Sequence, residues 1–183
     1  MGSEWRANLT DNPAVSHLTI PQPGTAFSYP FSTLPRGMLG TNRVQSAPML
    51  VRYPDTAYSA HGNYGIQYSL TLPLYNSTGK NQTVTVTLQT PIKTDKLTSG
   101  GLTFLEPPGP QTFFRGTVRV RYTDDNQLPQ TRYLHLVQRR GQQGEPLVKL
   151  EMQAGETRLV EVDFIYPPDA SPPQVLTVKT QEN

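Results

Sequence analysis

The 183-residue chain has no cysteine. Thiol catalysis, redox switching, disulfide scaffolds and cysteine-type zinc sites are therefore all excluded. Charge is sparse, at 16% Asp, Glu, Lys and Arg with a net +2, against the usual ~25%. Alanine, the strongest helix former, occurs only 8 times, which removes an all-helical fold. No apolar run approaches the ~18 residues of a membrane span. Met1-Gly2-Ser3-Glu4 has neither a basic patch nor a following apolar core, so no signal peptide is visible, and Met1-Gly2-Ser3 reads as a vector-derived remnant.

What is present favours strands. Threonine, stiff at its β-carbon, occurs 22 times, and Leu, Ile, Val and Phe together supply 42 residues, enough for one real core. Proline (18) and glycine (14) punctuate the chain. Residues 1–47 carry five prolines and little periodicity, and are expected to form an extended arm or linker with at most a short strand near Leu18–Ile20. Trp5, Phe27, Tyr29 and Phe31 are the residues able to anchor it. Residues 48–183 read as the folded domain.

Within that domain a period of two recurs. Tyr68, Leu70, Leu72 and Leu74 alternate with polar or outward positions, as do Val84, Val86 and Leu88. With the turn cluster Asn76–Asn81 between them, the two runs are expected to form a hairpin. Short strands follow at Met49–Tyr53 (before that hairpin) and Leu102–Leu105 (after it). Further alternating runs occupy Phe113–Thr123, Thr131–Arg139, Val148–Met152, Val160–Tyr166 and Val175–Thr180. Val118, Val120, Leu134, Leu136, Val160, Val162 and Phe164 are expected in the core. The pattern predicts an all-β, antiparallel β-sandwich with immunoglobulin-like topology.

Several longer strings resemble a known family. His61-Gly62-Asn63-Tyr64-Gly65, Leu72-Pro73-Leu74-Tyr75-Asn76, Phe113-Phe114-Arg115-Gly116, Tyr122-Thr123-Asp124-Asp125, the run from His135 to Pro146, and Tyr166-Pro167-Pro168-Asp169-Ala170 are similar to a cyanobacterial family of exported proteins known only as a domain of unknown function. The resemblance covers roughly residues 48–180. It implies the carboxy-terminal part of a longer protein and a periplasmic, outer-envelope or extracellular setting. It carries over no catalytic residue.

Charge is unevenly placed. Residues 111–140 hold six arginines against Asp124 and Asp125, whereas residues 141–183 hold three cations against seven carboxylates. If Thr123 pairs with Thr131, Arg121 faces Tyr133 and Arg119 faces His135. Arg119, Arg121, Tyr133 and His135 then share an outward face suited to an acidic polysaccharide, through planar donors and a stacking ring. The plain alternative is a solvated face of cross-strand pairs. Should that face not bind, the loops around residues 92–100 and 167–173 come next.

Other constellations are weaker. Asp124-Asp125-Asn126 lacks the spaced oxygens of a calcium loop and reads as a turn. Asp55, Ser59 and His61 spell a triad on paper, but no nucleophile elbow accompanies them. His17, His61 and His135 have no metal-ligand spacing. The sequons at Asn8, Asn76 and Asn81 read as turns. No nucleic-acid-binding motif appears. The expectation is thus a non-catalytic structural or binding module of an exported protein, without cofactor or metal. Its partner would be an acidic glycan or another envelope domain; an acidic-glycan-binding module is the alternative and a hydrolase the weakest reading.

Overall fold

The computed structural model describes residues 4–32, 46–48, 54–55, 59–61, 65–92 and 101–182. The described residues are all β, without a helix. The strands are β1 (Glu4–Asn8), β2 (Leu18–Thr19), β3 (Ala26–Phe31), β4 (Ser46–Pro48), β5 (Ser59–His61), β6 (Gln67–Tyr75), β7 (Gln82–Gln89), β8 (Thr112–Thr123), β9 (Pro129–Arg139), β10 (Pro146–Met152), β11 (Thr157–Ile165) and β12 (Gln174–Thr180). One sheet runs β1-β6-β11-β8-β9, with β2 also beside β6; the second runs β10-β7-β12-β3; β4 and β5 form a small pair. The first will be called the front sheet and the second the back sheet.

The two sheets pack face to face, as the alternating patterns require. Leu70, Leu72 and Leu74 of β6, Val118 and Val120 of β8, and Val160 and Val162 of β11 meet Val84, Val86 and Leu88 of β7 and Leu176 and Val178 of β12, all almost fully buried. At one end five rings close the core. Phe31 lies edge-on to Phe164 (centroids 4.9 Å) and Tyr68 (5.1 Å), Tyr68 stacks on Phe164 at 5.4 Å, and Phe114 and Tyr166 flank them. Each such pair contributes about 0.5–1.5 kcal/mol beyond its buried area. Leu134 and Leu136, on the edge strand β9, are only partly buried against the core.

Four expectations change. The β6–β7 hairpin does not form, because β6 lies in the front sheet and β7 in the back sheet. The reason is Asn76, which is fully buried. Its side-chain amide donates to the carbonyls of Lys80 (2.7 Å), Met152 (3.1 Å) and Gln153 (3.0 Å), while its Oδ1 accepts from Thr78 N–H and Oγ1–H. Asn76 N–H donates to Glu156 C=O, and Gly155 N–H to Asn76 C=O. The β6–β7 and β10–β11 connections thus cross between the sheets side by side, tied by one asparagine. A half-wet hairpin would also not explain β7, which is buried on both faces.

Residues 4–32 contribute three strands rather than one, with β1 and β2 joining the front sheet and β3 the back sheet. Leu18, Ile20 and Phe31 sit in the core, and Trp5 Nε1–H donates to Tyr29 Oη (2.9 Å) across the open side of the sandwich. The pairing is not wholly antiparallel, since β1 and β2 run parallel to β6. Leu102–Leu105 is not a strand. Its backbone bonds point to different neighbours, Thr103 C=O accepting from Ile92 and Leu105 N–H donating to Gly141, so no ladder builds. The candidate strand Met49–Tyr53 lies outside the described residues.

Candidate functional site

The outward residues of β8, β9 and β11 are brought together on the open face of the front sheet. β8 lies between β9 and β11, with Arg119 opposite Tyr133 on one side and Asp163 on the other, Arg121 opposite Thr131 and Glu161, and Thr117 opposite His135. The four expected residues therefore do share a face. Their pairing is offset by two from the expected register, because β9 begins at Pro129 rather than Thr131. A shift of two keeps every side chain on its side; a shift of one would have inverted them.

The tight turn that sets this register is built by Asp124. Its carboxylate accepts from Asn126 N–H (2.9 Å), Leu128 N–H (2.9 Å) and Gln130 Nε2–H (2.7 Å), and its own N–H donates to Leu128 C=O. These bonds, led by that from Leu128, hold its carboxyl below the usual range. Asp125 accepts from Glu151 N–H. Buried Arg158 donates to the Thr123 and Asp124 carbonyls (3.0 and 2.7 Å) and to Glu156. The Asp124 and Asp125 carboxylates are thus engaged within the turn by the protein itself.

The electrostatics of the face differ from the sequence expectation. Arg119 Nε–H donates to Asp163 Oδ2 at 3.1 Å, and Arg121 Nη2–H donates to Glu161 Oε1 at 3.1 Å with Asp163 a further 3.6 Å contact. The Asp163 bond, with a smaller one to Tyr133, keeps Arg119 above its ordinary value. At the near edge, Arg6 pairs with Glu4 (2.8 Å), which also accepts from Ser69 Oγ–H (3.1 Å). Three arginines thus face three carboxylates in one row. Glu4, Arg6, Ser69, Glu161 and Asp163 were not singled out from sequence; the outward parity of Glu161 and Asp163 was visible, but not that β11 borders β8.

A shallow groove of about 490 Å³ runs over this row, from Glu4, Arg6 and Ser69 to Arg119, Arg121, Glu161 and Asp163. It adjoins a second hollow of about 280 Å³ between Arg119, Tyr133, Asp163 and Ile165. Tyr133 is 67% exposed and Ile165 63%. Arg121 Nε–H is buried at the groove without a hydrogen-bond partner. His135 stands beside Thr117, Nδ1 to Oγ1 3.4 Å. The outer side of the back sheet is different in kind. Thr85, Thr87, Gln89 and Thr177 are buried there, with Thr177 bonded to Gln89 (2.6 Å) and Ser28 (2.7 Å).

The other candidates are not assembled. His17 lies 3.6 Å from Asp11 and against the Tyr75 ring (4.9 Å), while His135 is on the front face. Asp55 accepts from Arg115 (2.8 Å) and Thr112 (3.3 Å); the side chains of Ser59 and His61 lie outside what is described. Among the described residues no three His, Asp or Glu are grouped as metal ligands. No helix among them is long and apolar enough to cross a membrane. The loop around residues 92–100 lies almost wholly outside the described residues.

The fold and groove define an all-β, two-sheet module with one polar, charge-paired open face. The chain belongs to the DUF3370 family of proteins of unknown function, whose model matches residues 1–180 and so takes in the first 47 residues too. No curated protein and no solved structure matches it.

Proposed function

We propose that the protein is a non-catalytic binding module of an exported cell-envelope protein, and that the open face of the front sheet is its binding surface for a polysaccharide. The observation that carries this reading is exposed Tyr133 beside the groove in which Arg6, Arg119 and Arg121 alternate with Glu4, Glu161 and Asp163. A pyranose ring stacks its C–H face on a tyrosine, and its hydroxyls both donate to carboxylates and accept from guanidinium groups. The charge pairing favours a neutral glycan over an acidic one, since an acidic ligand must compete with Asp163 and Glu161 for the same donors. The groove carboxylates are all engaged by arginines, which supports binding rather than hydrolysis.

Export, a periplasmic or outer-envelope setting and a cyanobacterial source rest on the family resemblance of the longer strings. Immunoglobulin-like topology is supported by the crossing of β6 to β7 and of β11 to β12 between sheets. The test is titration of neutral and uronic-acid polysaccharides into wild type and Tyr133→Ala. The reading expects the neutral polymer to bind more tightly and Tyr133→Ala to lose at least about tenfold in affinity. Preference for the uronic acid would return the acidic-glycan alternative. No binding of either polymer would remove the face as a glycan site.

A further inference from the structure

The far edge of the front sheet is a second surface, independent of the groove. β9 is the last strand in its sheet, eleven residues long, and among the described residues it pairs only with β8. Such an edge presents unpaired N–H and C=O groups along its length, up to Arg139, whose N–H donates to Gln142 Oε1 and whose C=O accepts from Gln142 N–H. Its leucines, Leu134 and Leu136, are only partly buried, and Val137 is 45% exposed. An added strand would complete their burial.

The charge of this edge is one-sided. From Asn126 to Gly144 there is no acidic residue, but there are Arg132, Arg139 and Arg140. Arg132 donates to Leu147 C=O (3.4 Å). Arg139 and Arg140 are exposed and make no ion pair among the described residues. This contrasts with Arg119 and Arg121 on the neighbouring strand, each matched by a carboxylate. A second copy is a poor occupant, because antiparallel pairing of β9 with itself brings no acidic residue opposite its arginines.

We infer that the free edge of β9 docks an acidic, extended polypeptide segment, which adds to the front sheet as a further strand. Main-chain bonds would supply the pairing, and Arg139 and Arg140 would select for acidic side chains. The same arginines could serve only to repel other edges, and the experiment separates the two roles.

Synthetic peptides of alternating valine and glutamate, or valine and lysine, are mixed with the full chain, and amide exchange is followed by mass spectrometry. The glutamate peptide is expected to slow exchange within residues 129–139, to bind at least about tenfold tighter than the lysine peptide, and to weaken as salt rises. Arg139→Glu with Arg140→Glu should reverse the preference. A glutamate peptide N-methylated at alternate residues keeps its charge but cannot pair, and should not bind; this control leaves the protein untouched. No slowing at β9 with millimolar glutamate peptide, equal binding of the N-methylated peptide, or self-association of the chain through β9 without peptide would each overturn the inference.

Discussion

Arg119 and Asp163, 44 residues apart in sequence, lie directly opposite each other on β8 and β11, with Nε 3.1 Å from Oδ2. The pair is unequal. Asp163's side chain is 11% exposed and Arg119's 36%, so the aspartate depends on the arginine more than the reverse. Asp163 also sits within 3.6 Å of Arg121. Arg119→Ala strands a nearly buried carboxylate and is expected to cost about 1–2 kcal/mol. Arg119→Ala combined with Asp163→Ala should cost less than the two single changes together, by about 0.5–1 kcal/mol. Urea denaturation of the four proteins checks this; strict additivity would show that the pair is not coupled.

Asn76 is the corner on which the two sheet-crossing connections meet. Asn76→Ala leaves the Lys80, Met152 and Gln153 carbonyls short of a donor in a buried site and should cost about 2–4 kcal/mol. Asn81→Ala, at the exposed end of the same connection, should stay within about 0.5 kcal/mol. Comparable losses at the two positions would remove the special role of Asn76. The burial of Asn76 also predicts that its sequon is not glycosylated in the folded protein, whatever the host.

Gly79 and Gly144 both hold a left-handed backbone, at φ +72° and +76°. They differ in surroundings: a Cβ on Gly79 would meet nothing within 4 Å, whereas one on Gly144 would lie 2.7 Å from the Leu88 carbonyl. Gly79→Ala should therefore cost about 1–2 kcal/mol of conformational strain. Gly144→Ala should cost visibly more, because backbone must move as well. Thermal melts of the two variants decide, and equal costs would mean that the 141–144 turn yields freely.

Stability should depend on acid. Asp11, Asp124 and Glu156 are all held below their ordinary values: Asp11 chiefly by the Thr19 hydroxyl, and Asp124 chiefly by Leu128 N–H. For Glu156 burial pushes upward, but bonds from Arg158, Gln153 N–H and Gln127 outweigh it. A lowered folded value means that stabilisation is complete above the unfolded values, 3.8 for Asp and 4.5 for Glu, and is lost as pH falls through the folded ones. The urea midpoint should be level from neutrality to about pH 5 and decline below about pH 4.5. A midpoint unchanged at pH 3 would contradict these linkages.

Much of the sandwich was legible because one physical signal, alternation, decides which side chains are buried. It placed Leu70, Val86, Val120 and Val162 inward, and Arg119, Arg121, Tyr133 and His135 together outward. Alternation says nothing about which strands become neighbours. That is why β6 and β7 were joined as a hairpin, when a buried asparagine sends them to opposite sheets. It is also why Arg119 and Arg121 read as free cations: their carboxylates lie about forty residues downstream, and only the β8–β11 pairing brings them into contact. Of the first strands only the one near Leu18–Ile20 was expected; β1 and β3 show no alternation of burial, β3 carrying Pro30, although Phe31 reaches the core.

The register of β8 against β9 can be read by cross-linking, since the chain contains no native cysteine to interfere. Thr117 lies opposite His135, whereas Arg119 and His135 are diagonal. Directly opposed residues have β-carbons about 4.5–5.5 Å apart and diagonal ones about 7–8 Å. A disulfide needs its β-carbons at about 3.5–4.5 Å and its α-carbons within about 7 Å. Thr117→Cys with His135→Cys should therefore close an intramolecular disulfide under mild oxidation, and Arg119→Cys with His135→Cys should remain largely as thiols. Thiol titration of the two purified variants reads the outcome directly. Efficient closure of the Arg119 pair alone would restore the register in which Thr123 meets Thr131. Arg119 would then face His135 rather than Tyr133, and the hollow between Arg119, Tyr133 and Asp163 would not exist as described.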